Sequence, residues 1–263
     1  MPTYLILILG IVQGLTEFLP VSSSGHLVLA QHFLPGFSEP PVAFDVTLHL
    51  GTLLSLIVFF RKDIIQMLKS FFIKKGDENA SSRWLALMII AGSVPTGLIG
   101  IAFEDVFEGL FGNHTLVPFM FAVTGILLFA AERVKARRKE EIKRIGLKEA
   151  LIIGLVQGIA IIPGISRSGA TISTGLVLGA SRNEAARFSF LLSIPAVAGA
   201  FLLKVHEIEI FDFHYIFGAL IAAFVGIFAI YLTLKIVLFK RLWIFSAYLL
   251  CASIVLIIIN FIY

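Results

Sequence analysis

Two short polar stretches interrupt long apolar runs, and they hold most of the residues that could do chemistry. The first, FLPVSSSGH, covers residues 18–26, and the second, GISRSGAT, covers residues 164–171. A charged residue in such surroundings is expensive, about 2.5–3.5 kcal/mol for a central arginine on insertion scales, so it marks a functional site. The apolar regions hold five ionisable residues that need this explanation: Glu17, His26, Asp45, His49 and Arg167.

The first stretch contains a serine and a histidine at helical spacing. If a helix begins near Ser22, then Ser23 and His26 lie three residues apart on one face. A hydroxyl within reach of an imidazole is the arrangement that activates a serine nucleophile. The helix N-terminus, with Ser22, also favours an anion through its unpaired N–H groups and its dipole. The alternative is that the serines cap the helix and His26 only packs.

The second stretch offers ligands for a phosphate group. The guanidinium of Arg167 suits bidentate binding of phosphate, and neighbouring glycines let a ligand approach the backbone closely. Hydroxyls are supplied by Ser166, Ser168 and Thr171. We therefore expect an anionic ligand at Arg167, with Glu17 as the counter-ion of Arg167 when no ligand is bound.

A second pair of ionisable residues follows the first stretch. Asp45 and His49 stand four residues apart and share a face if this segment is helical. They either pair with each other or form a wall of the same cavity.

Composition and segment length place these residues in a membrane protein. The 263 residues are 58% hydrophobic and 14% charged, whereas soluble domains are usually about 45–50% apolar and about 25% charged. Helices of about 20 apolar residues cross a bilayer. Six segments are long enough: residues 43–60, 85–103, 116–132, 185–203, 214–235 and 243–262. The single cysteine, Cys251, excludes an internal disulfide and a cysteine metal cluster.

The two polar stretches break two further apolar regions, residues 3–33 and 147–180. Proline, glycine and serine end the helices there, and each half is too short to span comfortably. Irregular backbone at membrane depth is tolerated only inside protein or beside water. We therefore predict two re-entrant helix–loop–helix hairpins whose broken tips are buried.

The two hairpins are copies of one another. A shift of 144 positions aligns residues 10–25 with residues 154–169, and seven of the 16 positions are identical. Each copy is followed by three predicted spans, so the second repeat must be inverted in the membrane. The prediction is an all-α polytopic membrane protein with six transmembrane helices, two re-entrant hairpins and an inverted-topology internal repeat. The repeats cover residues 1–135 and 147–263, joined by a basic cytoplasmic linker at residues 136–146.

The distribution of positive charge predicts the orientation. Of the 21 Lys and Arg residues, 19 fall in loops on one predicted face: residues 61–84, 133–148, 181–187 and 235–241. By the positive-inside rule that face is cytoplasmic. Both termini of this cell-membrane protein are then extracytoplasmic, and the two broken tips meet near the midplane.

The stretches QGLTEFLPVSSSGH (residues 13–26) and PGISRSGAT (residues 163–171) resemble the signature motifs of the undecaprenyl-diphosphate phosphatase family, the bacitracin-resistance type of membrane phosphatase. The resemblance covers essentially the whole chain. It implies hydrolysis of a polyprenyl diphosphate lipid, undecaprenyl diphosphate, to undecaprenyl phosphate and inorganic phosphate, with help from a divalent cation. This reaction recycles the lipid carrier of cell-wall synthesis, in an active site that opens toward the outer face.

The resemblance also implies roles for individual residues. Ser23 occupies the position of the nucleophile and His26 that of the motif histidine. The phosphate-binding turn is matched by Ser166, Arg167 and Thr171.

Gln13 and Glu17 occupy the first two motif positions. The first is often glutamate in this family, so Gln13 puts in doubt any metal or proton role for a carboxylate there. Four residues apart, the two side chains are predicted to share a helix face and to offer oxygen ligands to Mg²⁺ or Ca²⁺.

The predicted mechanism is metal-assisted phosphoryl transfer in which Ser23 attacks, His26 acts as base and Arg167 neutralises charge. A variant has His26 activate water directly. The rival is a secondary transporter or lipid flippase for an anionic prenyl phosphate, because inverted repeats with broken helices are typical of transporters. Nothing in the sequence indicates a nucleic-acid partner, and association of two copies as a homodimer stays open.

Overall fold

The computed structural model describes residues 2–34, 42–73, 76–111, 113–137, 141–142, 144–204 and 213–262, and within these ranges the chain forms helices and no strands. We number the helices in chain order: α1 Thr3–Phe18, α2 Ser23–Phe33, α3 Val42–Phe59, α4 Arg61–Phe72, α5 Asp77–Ala102, α6 Glu104–Phe111, α7 Val117–Arg137, α8 Leu147–Ile159, α9 Arg167–Leu178, α10 Arg182–Lys204, α11 Phe213–Leu238 and α12 Leu242–Ile262.

The long helices make this a multi-pass membrane protein. Five of them are long and apolar enough to cross a membrane: α5, α7, α10, α11 and α12. A sixth span is reached if α3 and α4 are counted together, although the chain bends by 70° between them. Each of the six predicted segments coincides with one helix, because a run of about 20 apolar residues can satisfy its backbone in lipid only as a helix.

One predicted loop is largely helical instead. Residues 61–84 contain α4 and the beginning of α5. Charged residues at helical spacing can occupy one face of an amphipathic helix, so their presence does not exclude one. Residues 74–75 of the first loop, and residues 138–140 and 143 of the predicted linker, lie outside the described residues.

Both predicted breaks are present. The first separates α1 from α2 at residues 19–22, and the second separates α8 from α9 at residues 160–166. Within each pair the two helices pack against each other.

Glycines let the first helix of each broken pair lie close to a long helix. α1 packs on α11, and α8 packs on α5. A Cβ atom added at Gly154 of α8 would lie 1.9 Å from the backbone oxygen of Gly92 of α5, and one at Gly10 of α1 would lie 2.9 Å from that of Gly218 of α11. Close backbone approach of this kind is how helices associate in membranes, where apolar side chains gain little by leaving lipid.

Candidate active site

The same serine cap begins the second helix at each break. The Ser22 hydroxyl accepts a hydrogen bond from the Gly25 N–H at 3.2 Å, and the Ser166 hydroxyl accepts one from the Gly169 N–H at 3.1 Å. Each cap satisfies one of the unpaired amides of its helix N-terminus. The polar stretches therefore end one helix and start the next, as the sequence predicted.

The two tips contact each other through the serine two positions after each cap. The Ser24 hydroxyl accepts a hydrogen bond from the Gly164 N–H of the second tip at 3.4 Å. In the reverse direction, the Ser168 hydroxyl donates to the Leu19 carbonyl of the first tip at 3.2 Å. These bonds bring the ends of four helices together at one place.

Glu17 is the centre of the polar cluster at this place. Glu17 is 7% exposed, and its carboxylate forms an ion pair with Arg167 through Oε1. Its other oxygen, Oε2, accepts hydrogen bonds from Gln13 Nε2 at 3.0 Å and from Ser23 Oγ at 2.6 Å. The counter-ion relationship and the shared face of Gln13 and Glu17 are both present in the structure.

Arg167 begins α9 and extends from the second tip to the first. Its Nη2 atom faces Glu17, whereas its Nη1 atom is buried and has no hydrogen-bond partner among the described residues. A buried donor without an acceptor is costly. This nitrogen is therefore free to donate hydrogen bonds to an anionic ligand.

Ser23 and His26 do not pair with each other. Ser23 turns back toward Glu17, whereas His26 Nδ1 lies 2.7 Å from the Ser22 carbonyl oxygen and His26 Nε2 lies 2.7 Å from the Tyr248 hydroxyl. The imidazole instead contacts Phe121 of α7 and Tyr248 of α12, at centroid distances of 5.1 and 5.8 Å.

The remaining hydroxyls of the second tip are used inside the protein. Ser166, Ser168 and Thr171 are buried; the first caps α9 and the second contacts Leu19. Thr171 lies 2.5 Å from the Ser189 hydroxyl of α10 and donates to the Arg167 carbonyl at 2.8 Å. Of the residues predicted for the phosphate-binding turn, Arg167 is thus the one whose side chain reaches the cluster, and the hydroxyls hold its helix in place.

His49 joins the cluster and Asp45 does not pair with it through side chains. The His49 Nε2 atom lies 3.7 Å from Glu17 Oε2, and its Nδ1 donates to the Asp45 backbone oxygen at 2.9 Å. The Asp45 carboxylate accepts hydrogen bonds of 3.1 and 3.2 Å from Gln31 Nε2. His49 thus adds a fourth neighbour to Glu17, and the prediction that Asp45 and His49 line a cavity stays a prediction.

A family model described as "Bacitracin resistance protein BacA" matches residues 6–255. The chain belongs to this family. Its relatives include proteins named undecaprenyl-diphosphatase from Syntrophotalea carbinolica, 46% identical over 250 residues (92% of this chain, 93% of the relative), and from Halothermothrix orenii, 42% identical over 265 residues (98% of both). A protein of the same name from Methanobrevibacter smithii is 43% identical over 257 residues, 92% of both chains.

In this BacA family member, one residue beside the predicted site carries no signal in the sequence. Tyr248 of α12 contacts His26 across 222 positions of the chain. A tyrosine in an apolar helix is usual near a membrane surface, so its type and position carry no signal of this contact. The hydrogen bond forms because α12 packs beside α7, and the spacing of residues along the chain does not reveal that packing.

The residues around Glu17 fit a cation only if the substrate shares in binding it. No group of three or more His, Cys, Asp or Glu side chains that could hold a metal occurs in the described part of the chain. Gln13 Oε1, buried and without a hydrogen-bond partner there, is a second oxygen beside Glu17. Mg²⁺ is commonly bound by one or two carboxylates together with substrate phosphates. The donor set is consistent with that arrangement and too small for a site built from protein alone.

Proposed function

We propose that this protein hydrolyses undecaprenyl diphosphate to undecaprenyl phosphate and inorganic phosphate, and so recycles the lipid carrier of cell-wall synthesis. The observation that carries the proposal is the Glu17–Arg167 ion pair beside Ser23, at the contact between two broken helices. A phosphoryl-transfer site needs a positive charge that binds the phosphate, here Arg167. It also needs a hydroxyl with a proton acceptor, here Ser23 and Glu17. The choice of substrate rests on the name undecaprenyl-diphosphatase, which relatives that align along nearly the whole chain carry.

The first step is attack by Ser23. The terminal phosphate of the substrate accepts a hydrogen bond from the unpartnered Nη1 of Arg167, and the guanidinium offsets the negative charge of the phosphate. The Ser23 oxygen forms a bond to the terminal phosphorus as the bridging P–O bond breaks, and undecaprenyl phosphate leaves. The proton of Ser23 passes to Glu17, which already accepts its hydrogen bond at 2.6 Å. Glu17 thereby replaces His26 as the base that the sequence suggested for this step.

The second step is release of phosphate from Ser23. A water molecule attacks the phosphorus as the bond between phosphorus and the Ser23 oxygen breaks. Glu17 returns the proton that it took from Ser23 to the Ser23 oxygen, and the proton of the water passes to His26, or to Glu17 as Glu17 gives up the serine proton. Support for His26 is its place on the next turn of α2, where it is neither buried in full nor paired with a charge. Attack on the lipid by water without a phosphoserine is the competing route, and Glu17 would then be the base.

We assign the divalent cation, Mg²⁺ or Ca²⁺, to a site shared by the substrate diphosphate and Glu17, with Gln13 Oε1 as a neutral ligand. When bound, the cation would neutralise charge on the transferred phosphoryl group. Gln13→Glu should lower the metal concentration that gives half-maximal phosphate release. Unchanged metal dependence in this variant would place the cation on the substrate alone.

We also propose that the chain consists of two repeats, residues 1–135 and 147–263, joined by the linker at 136–146. Equivalent helices of the two repeats make equivalent contacts, because α1 packs on α11 as α8 packs on α5. The Ser22 cap of the first repeat likewise corresponds to the Ser166 cap of the second. These matched contacts support an inverted repeat with two re-entrant hairpins. With the basic loops in the cytoplasm, both termini and the opening of the active site lie toward the outside.

A transporter or flippase of the same lipid is the second candidate, because broken helices that meet inside an inverted repeat are typical of transporters. Purified protein in detergent separates the two functions, since transport has no meaning without a membrane. The proposal expects release of one phosphate for each undecaprenyl diphosphate consumed. A folded, monodisperse preparation that binds the lipid and releases no phosphate would overturn the phosphatase in favour of transport.

A further inference from the structure

The polar residues of α4 face the protein. Asp63 forms an ion pair with Arg187 of α10, and Gln66 Nε2 donates a hydrogen bond to Asn79 Oδ1 of α5 at 3.0 Å. Ser70 is buried. Asp63, Gln66 and Ser70 are three and four positions apart, which places them on one face of the helix. That face packs against α5 and α10.

The apolar residues of α4 form a stripe on a different face, which points away from the protein. Ile65, Leu68 and Phe72 are 49%, 60% and 87% exposed, and they too are three and four positions apart. A surface helix of a water-soluble protein has the opposite arrangement, with its apolar residues toward the core. The material that covers this stripe is therefore itself apolar.

The position of α4 in the chain places it at the surface of the membrane. The preceding helix, α3, has 18 residues and is about 27 Å long, nearly the thickness of the hydrocarbon core, so α3 crosses without help from α4. The chain then bends by 70° before α4 begins. This bend turns α4 toward the membrane plane, where an amphipathic helix inserts its apolar face between the lipid headgroups.

Positive charges border the apolar stripe. Lys62 and Lys69 are exposed, lie two turns apart, and stand beside the stripe on the same side of α4. Asp63 does not offset them at this edge, because it is paired with Arg187. A lysine beside an apolar surface extends its ammonium toward the headgroups, where anionic phospholipids attract it.

We propose that α4 is an interfacial helix that binds anionic phospholipids of the surrounding bilayer. Ile65, Leu68 and Phe72 contact the acyl chains, and Lys62 and Lys69 bind the headgroup phosphates. Charge complementarity favours this partner over a second copy of the chain, whose own α4 would bring the same lysines to the contact. The bound lipid is a component of the membrane and not the substrate, so the inference does not depend on the proposed function.

The test measures lipid directly at α4. In a Cys251→Ser background, Leu68→Cys carries a fluorescent label, and the purified protein is placed in phosphatidylcholine nanodiscs. One preparation contains a minor fraction of phosphatidylcholine brominated on its acyl chains, and the other contains the same fraction of brominated phosphatidylglycerol. Bromine quenches a label that it contacts, so quenching reports the local concentration of each lipid. We expect severalfold stronger quenching by the phosphatidylglycerol at low salt, and equal quenching near 1 M salt, where the screening length falls to about 3 Å.

Paired substitutions in the labelled protein test the two lysines. Lys62→Gln with Lys69→Gln should abolish the preference for phosphatidylglycerol and leave quenching by both lipids, because the apolar stripe is unchanged. Lys148→Gln with Lys240→Gln is the matched control. It removes the same charge from exposed positions outside α4 and should keep the preference.

Two results would overturn the inference. A label at position 68 that neither brominated lipid quenches would show that water or another copy of the protein covers the stripe. Equal quenching by the two lipids in protein with both lysines, or an equal loss of preference in the two paired variants, would show that α4 does not select anionic lipid. Neither result bears on phosphate release, so the lipid-binding surface and the proposed function are tested separately.

Discussion

Ser23 Oγ donates a 2.6 Å hydrogen bond to Glu17 Oε2 across the break between α1 and α2. The two residues are six positions apart and would not face each other in a continuous helix. The turn at residues 19–22 brings them together, and Ser22 holds that turn with a positive φ of 72°, a conformation uncommon outside glycine. The broken helix therefore builds the pair that the proposed reaction uses.

Ser23→Ala should lower the rate of phosphate release about 1,000-fold or more, as removal of a nucleophile does in enzymes that use one. It removes one hydrogen bond and should cost about 1 kcal/mol of stability, so the variant should purify folded. Ser24→Ala is the matched control, because Ser24 contacts the Gly164 amide instead of Glu17 and should retain activity within severalfold. Phosphate release and thermal unfolding are measured for both. Near-normal turnover by Ser23→Ala would show that water, and not Ser23, attacks the phosphorus.

Arg167→Lys should lower phosphate release on the order of 100-fold, because lysine keeps the charge and loses the nitrogen that is free to bind phosphate. The control is Arg182→Lys. Arg182 also pairs with a glutamate, Glu132, here through two nitrogens at 2.7 and 3.1 Å, but it does so on the side predicted to be cytoplasmic. We expect Arg182→Lys to leave turnover within about twofold of wild type. Equal effects of the two substitutions would mean that Arg167 contributes to stability and does not bind the phosphate specifically.

Gly154→Ala should prevent α8 from packing on α5, since the new Cβ would lie 1.9 Å from the Gly92 oxygen. The expected result is a large fall in melting temperature or in the yield of monodisperse protein. Gly97→Ala in α5 meets nothing within 4 Å and should be neutral or stabilising by up to about 1 kcal/mol, because alanine is the better helix former. Thermal unfolding in detergent compares them. Similar stability of the two variants would mean that α5 and α8 are not in backbone contact.

The proposed orientation predicts which single cysteines react in intact cells. In a Cys251→Ser background, Thr115→Cys, between α6 and α7, should be labelled by a membrane-impermeant reagent from outside. Glu78→Cys, at the start of α5, should be labelled only after the membrane is opened. Both positions are exposed in the structure, so accessibility alone does not separate them. The reverse pattern would invert the protein and place the active-site opening toward the cytoplasm.

The helices and the central ion pair were predictable because their physical causes lie in the sequence. An apolar run of membrane length must be helical, and two opposite charges in apolar surroundings must find each other, which is why Glu17 and Arg167 pair across 150 positions. The amphipathic helix α4 was not predicted, because its charged residues lower the mean hydropathy of the segment although one face of the helix is apolar.

The detail of the site depended on angles between helices, which residue spacing does not contain. Ser23 and His26 have the right spacing for a pair, yet the approach of α1 gives Ser23 a carboxylate and the approach of α12 gives His26 a tyrosine. Likewise, the hydroxyls of the second tip are of the right type to bind phosphate. Contacts with the first tip and with α10 already use those of Ser168 and Thr171.

We propose that Glu17, bound to Arg167 and Ser23 at the meeting of the two broken helices, is the base of a lipid diphosphate phosphatase. The most direct test is release of inorganic phosphate from undecaprenyl diphosphate by purified wild type and Glu17→Gln, side by side in detergent with added Mg²⁺. The glutamine keeps the size of the side chain and removes its charge and basicity. We expect stoichiometric release by wild type and a loss on the order of 1,000-fold in Glu17→Gln, with the variant still folded. Wild-type protein that releases no phosphate, or a Glu17→Gln variant that releases it at the wild-type rate, would contradict it.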